Sequence, residues 1–138
     1  MVADADGNIA SIEASPEGAR ILQAESVTDN HHWLCHTNHF LHHDLQGKDA
    51  GLTGNFSTTA RLDTARTKVG SMKKLSDIQA LLADTSANDE SICRFPDASL
   101  PAGAQIETVF ATAMDLQQRE LWVTAAQPSI SNFHCLKL

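Results

Sequence analysis

The chain has 138 residues, a formal net charge of −7, 42% hydrophobic and 20% charged residues. That balance suits a soluble folded domain and excludes a disordered composition. The acidic residues are spread over both halves and no basic run tracks an element, so a nucleic-acid partner is not expected.

A chain this long is read as a single domain spanning residues 1–138. Its three cysteines, Cys35, Cys93 and Cys135, are odd in number and widely spaced, without a CxxC pair. Reduced thiols and a cytoplasmic setting are expected. The N-terminus has no basic and apolar pattern of a signal peptide, and no apolar stretch approaches the roughly 20 residues of a membrane span, so no membrane partner is expected.

The run Asp4-Ala5-Asp6-Gly7-Asn8 has turn chemistry. It resembles the start of a calcium loop, but the glycine is misplaced and Ser15 stands where a bidentate Glu is needed. Residues 8–14 and 19–25 read as two strands, with Ser15-Pro16-Glu17-Gly18 as the tight connection. Residues 26–31 are polar, and residues 31–43 suit a strand running into a turn. A glycine-rich stretch follows, from Gly47 to Gly54.

Ser57 or Thr58 is placed to cap a helix that Gly70 stops. Ser76-Asp77-Ile78-Gln79 reads as a capping box opening a second helix, with Ile78, Leu81 and Leu82 as its apolar stripe. Ile92-Cys93-Arg94-Phe95 is extended and ends at Pro96. Thr108–Met114 and Glu120–Ala125 are strands joined by a hairpin loop, and residues 132–138 form a last edge strand. Strands and helices are segregated rather than alternating. The expected class is therefore α+β, an antiparallel sheet with helices on one face.

Six of the seven histidines lie between residues 31 and 43. Neutral imidazoles at this density can hold Zn, Ni or Cu, and His36, His39 and His43 are the candidate ligands. No HExxH accompanies them. No GxSxG elbow is present, and Cys35-His36 and His134-Cys135 are neighbours that point to opposite faces if extended. Arg61 and Arg66 lie five apart and diverge by about 140° on a helix, which suits separate contacts rather than an anion clamp. There is no Walker A or GxGxxG sequence, so no cofactor is expected.

Taken together, five stretches resemble one family. They are Ala3 to Ile9 running to Pro16, His36-Thr37-Asn38-His39-Phe40, Ser57 through Arg66, Ile92-Cys93-Arg94, and Thr108 through Asp115 to Val123. In this order and at these intervals they resemble the C-terminal part of the acyl-CoA:6-aminopenicillanic-acid (isopenicillin N) acyltransferases, of the Ntn hydrolase superfamily. The resemblance implies an αββα sandwich and acyl transfer to or from small amide and acyl substrates. It implies a nucleophilic Cys freed at a new N-terminus by self-cleavage, and it implies Asn38 as the oxyanion-hole residue. In the family that Cys lies upstream of the region matched here, so the nucleophile-bearing segment is expected to be absent from this chain and the chain inactive alone. Half a sandwich leaves a sheet face uncovered, so the expected partner is a second copy of the chain or the missing N-terminal part. A stand-alone, non-catalytic oligomeric domain and a histidine-cluster metal module are the alternatives.

Overall fold

A computed structural model describes residues 1–4, 6–28, 31–49 and 57–138. They form two compact units, Met1–Gly70 and Ser71–Leu138.

The first unit opens with β1 (Val2–Ala3), β2 (Ile9–Ser15) and β3 (Gly18–Gln23), antiparallel and in that order. The β1–β2 turn is closed by the Asp4 carboxylate, which accepts from the amides of Asp6 and Asn8, each at 3.0 Å, and from Asn8 Nδ2 at 2.9 Å. The carboxylate that resembled a calcium ligand is thus spent on its own turn. Between β2 and β3, Pro16 and Glu17 make the loop, and Ser15 pairs with Gly18. Gly18 has φ +123°, a conformation that a side chain resists. The β2–β3 hairpin matches the sequence expectation to within a residue or two.

The faces of that hairpin are not the simple apolar-in arrangement. Ser11 and Glu13 are buried, whereas Ile12 and Ile21, directly opposite each other in the ladder, are exposed. The buried Glu13 carboxylate has its partners in the segment 36–42.

β4 (Glu25–Thr28) and β5 (His31–Trp33) form a separate antiparallel pair with an irregularity between Ser26 and Thr28. Neither the polar run 26–31 nor the length of the 31–43 segment predicted this. The strand expected there stops at Trp33, and residues 34–42 have no regular structure. The short helix α1 (His43–Gln46) follows, anchored by buried Leu45. Helix α2 (Ser57–Val69) buries Leu62 and ends before Gly70, as expected. Its last turn carries Arg66 and Lys68, which suit the negative end of the helix dipole. The stretch 50–56 lies outside the described residues.

The second unit begins with α3 (Leu75–Leu82). Its cap differs from the expected box at Ser76. The helix starts at Leu75, and Asp77 does the capping by accepting from the amides of Lys73 (2.9 Å) and Lys74 (3.2 Å). A carboxylate serves better than a hydroxyl here, since it can take two donors at once. Residues 92–95 are irregular rather than a strand, though Arg94 and Thr108 bridge backbone to backbone at 3.0 Å.

Strands β6 (Thr112–Asp115), β7 (Glu120–Thr124) and β8 (Phe133–Lys137) complete the unit as an antiparallel sheet in that order. The hairpin loop and the edge strand fall where the sequence placed them, although β6 starts four residues later than the expected Thr108. In this unit Ser91, Cys93, Ala111, Ala113 and Thr124 are buried. Thr124 ties two backbone groups, accepting from the Ala111 amide at 2.9 Å and donating to the Ala126 carbonyl at 2.6 Å.

The described elements make an α+β protein with antiparallel pairing throughout. The strands belong to three separate sheets rather than to one. Among the described residues no helix is long and apolar enough to cross a membrane.

Candidate functional site

The segment 36–42 carries three of the clustered histidines, His36, His39 and His42, together with Asn38, and it has no ladder of its own to hold it. The amides of Asn38, Phe40, Leu41 and His42 are instead taken by side chains from three other places. Side-chain partners of this kind let a non-repetitive segment be partly buried without losing those hydrogen bonds.

The first anchor is Glu13 on β2. Its side chain is 2% exposed. It accepts from the amides of Leu41 (2.7 Å) and His42 (2.9 Å), and it pairs with His36 Nε2 at 2.7 Å. Burial pushes the carboxyl up, but the two amides and His36 outweigh it and hold the group below the usual glutamate range. The second anchor is Thr58 in the first turn of α2, 1% exposed. Its hydroxyl accepts from the Asn38 amide at 2.9 Å, and its carbonyl accepts from the Thr37 hydroxyl at 2.8 Å. The third is Asp49, which accepts from the Phe40 amide at 3.0 Å.

Asn38 itself is exposed. Arg61 Nη2 donates to its Oδ1 at 2.7 Å, while Arg61 Nε donates to the Ser57 carbonyl at 3.2 Å. Positions 57, 58 and 61 share one side of α2 because residues three and four apart on a helix are neighbours. A guanidinium has only donors, so the oxygen end of the Asn38 amide is the end it holds. The Nδ2 end, with two N–H donors, is the one left to meet a ligand. A neutral donor fixed this way beside a cation can receive an oxygen on which negative charge develops. Arg66, by contrast, pairs with Glu25 at 3.1 Å, so the two arginines do act separately.

The histidines sort into different roles. His32 Nδ1 lies 2.8 Å from the Ser26 hydroxyl. His36 belongs to Glu13. His39 Nδ1 lies 3.0 Å from the Thr58 hydroxyl and 3.2 Å from that of Thr37, and burial lowers its pKa toward the neutral ring. His42 and His43 stack with ring centroids 4.5 Å apart. The candidate metal ligands His36, His39 and His43 therefore lie in three different settings. The group whose ligand atoms face one another is His42, His43 and Asp44, within 4.8 Å.

The three thiols lie in different surroundings. Burial pushes the Cys35 thiol up, against the thiolate, with the charge of Arg66 opposing that and Glu25 adding to it. Cys93 is buried, with its sulfur 3.3 Å from the Ser129 hydroxyl. Cys135 is exposed on β8, where neighbouring His134 faces the other way.

Sequence reasoning singled out Asn38 but not the residues that hold it in place. Thr58 entered only as a helix cap and Arg61 only as a helix contact. Glu13 gave one signal, an acid in the middle of a strand, whose meaning depends on a segment 28 residues away.

Residues 1–129 match the family described as acyl-coenzyme A:6-aminopenicillanic acid acyl-transferase. No curated protein and no solved structure matches the chain.

Proposed function

We propose, since the chain belongs to the acyl-coenzyme A:6-aminopenicillanic acid acyl-transferase family, that it supplies the oxyanion-stabilising side of an acyl-transfer centre acting on small amide or thioester substrates. The observation that carries this is Asn38, exposed, with its amide N–H on Thr58 and its oxygen on Arg61. When a nucleophile adds to an acyl carbonyl, the oxygen gains charge and the Nδ2 hydrogens stabilise it. Collapse of that intermediate then expels the amine or thiol.

The attacking group does not come from the three thiols described above. The chain is then a nucleophile-lacking part of an Ntn-type αββα sandwich, inactive alone. A complementary segment with an N-terminal Cys supplies the sulfur, and its α-amino group acts as base.

The test is an acyl-transfer and amide-hydrolysis assay of the chain alone and mixed with such a segment from this family. No turnover is expected alone and measurable turnover in the mixture. Asn38→Ala in the mixture should lower kcat by about 10²- to 10³-fold, the loss expected for one oxyanion donor. Turnover by the chain alone that Cys35→Ala abolishes would overturn the proposal, as would an Asn38→Ala mixture as active as the unmodified one.

A second reading has its own support. Ile12 and Ile21 are exposed side by side on β2 and β3. On the β6–β8 sheet, exposed Met114 and Leu136 flank Leu121 in one cross-strand row. Apolar rows of this kind favour a non-catalytic role as a homo-oligomer. Light scattering should then give a dimer or larger species at micromolar concentration that Ile12→Glu with Ile21→Glu breaks up. A monomer would remove it.

A further inference from the structure

We infer that His42, His43 and Asp44 form a surface site for a divalent transition ion of the zinc class. This goes beyond acyl transfer and uses none of the residues assigned to it. One ligand atom from each of the three residues lies within 4.8 Å of the others. His43 Nε2 is 2.9 Å from Asp44 Oδ1, and His42 Nδ1 is 3.8 Å from Asp44 Oδ2. Zinc holds nitrogen and oxygen ligands at about 2.0–2.2 Å, which sets tetrahedral ligand atoms about 3.3 Å apart. The observed separations bracket that figure, so small side-chain rotations bring the three onto one ion. Water would complete the coordination.

The donor set is chemically apt. Two imidazoles and a carboxylate suit zinc, nickel or copper, and do not suit calcium or magnesium. His42 Nδ1 accepts from the Asp44 amide at 3.3 Å. That bond is long, and an ion would displace it.

The surroundings hold the ligands where they are. Arg20 Nε donates to Asp44 Oδ2 at 2.8 Å, which orients the carboxylate and leaves Oδ1 facing His43. Outer partners of this kind are a usual part of a metal site. Below the ligands, the His42 amide is fixed by Glu13, Gln46 Nε2 donates to the Leu41 carbonyl at 2.9 Å, and Leu45 is buried. The three ligands therefore ride on a backbone pinned at both ends. His36 and His39 are not in this group; they sit on Glu13 and on Thr58.

The test is calorimetric titration of the full untagged chain with Zn²⁺ alone, with zinc-edge X-ray absorption on the loaded sample. One ion per chain and two imidazole nitrogens in its shell are expected. His43 is largely exposed, so His43→Ala should fold like the unmodified chain, with an unchanged melt in the absence of metal. It should weaken the ion's hold by an order of magnitude or more. Asp44→Asn should weaken it too, while His32→Ala should leave it intact. Zn²⁺ should raise the melting temperature of the unmodified chain and not that of His43→Ala. No binding, or binding that survives His42→Ala with His43→Ala, would overturn the assignment. So would binding lost with His32→Ala but kept in His43→Ala.

Discussion

Replacing Glu13 with Gln keeps the side chain's shape and removes its charge, and it should destabilise the protein by about 2–4 kcal/mol. The figure follows from the contacts. Oε1 accepts from Leu41 N and His36 Nε2, and Oε2 accepts from His42 N. In Gln one of these oxygens becomes an NH₂. If the carbonyl takes the first position, the NH₂ opposes the His42 amide and leaves a buried donor unmet, at a cost of about 1–3 kcal/mol. The bonds that survive lose charge assistance, roughly another 0.5–1 kcal/mol each. Relief from burying a charge offsets part of that sum. Urea unfolding at neutral pH is the assay. With a slope of about 2 kcal/mol per molar, the midpoint should fall by about 1–2 M. Glu17→Gln is the control. Glu17 is exposed and pairs only with Lys48 among its described contacts, so its midpoint should barely move. The effect should also depend on pH in a stated direction. Folding holds the Glu13 carboxyl below its ordinary pKa. Its contribution is therefore complete above the unfolded-state value and fades as pH falls through that value toward the folded one. The gap between the native chain and Glu13→Gln should narrow below about pH 4. Coincident unfolding curves at neutral pH would refute the reasoning, because they would mean that the three bonds do not hold the loop.

Two further substitutions probe the units separately. Leu62→Ala empties a buried position on α2 and should cost about 2–5 kcal/mol, read as a lower urea midpoint; a loss under about 0.5 kcal/mol would show the site is not core. Thr124→Val removes the hydroxyl that joins Ala111 N to Ala126 O and should cost about 1–3 kcal/mol; hydrogen exchange should show faster loss of the Ala111 amide, and unchanged protection there would count against the bond.

Local signals announced the elements that are locally determined. Pro16, Glu17 and Gly18 mark the first hairpin because proline and glycine settle the turn before any partner is known. The same holds for the end of α2 at Gly70 and for the β6–β7 loop. The cap of α3 was misplaced because Ser76 and Asp77 are both cap formers, and only the path of the chain at Lys73 and Lys74 selects the carboxylate. Residues 31–43 misled for a different reason. Their apolar and aromatic content suits a strand, yet Glu13, Asp49 and Thr58 take amides that a sheet partner would otherwise use. In the candidate site Asn38 was named through resemblance alone, while the contacts of Arg61, Thr58 and Glu13 became visible only when distant segments met.

Among the described residues, the clamps on the amides of Asn38, Phe40, Leu41 and His42 and on the oxygen of the Asn38 carboxamide all lie outside the segment: Glu13 before, and Asp49, Thr58 and Arg61 after. A synthetic peptide spanning residues 31–46 carries all of the motif and none of these clamps. Such a fragment has no means of arresting the carboxamide, so short mimics of this stretch are poor starting points for building an oxyanion receptor. A graft onto another scaffold would have to carry the acid of the hairpin and the opening turns of the helix along with it.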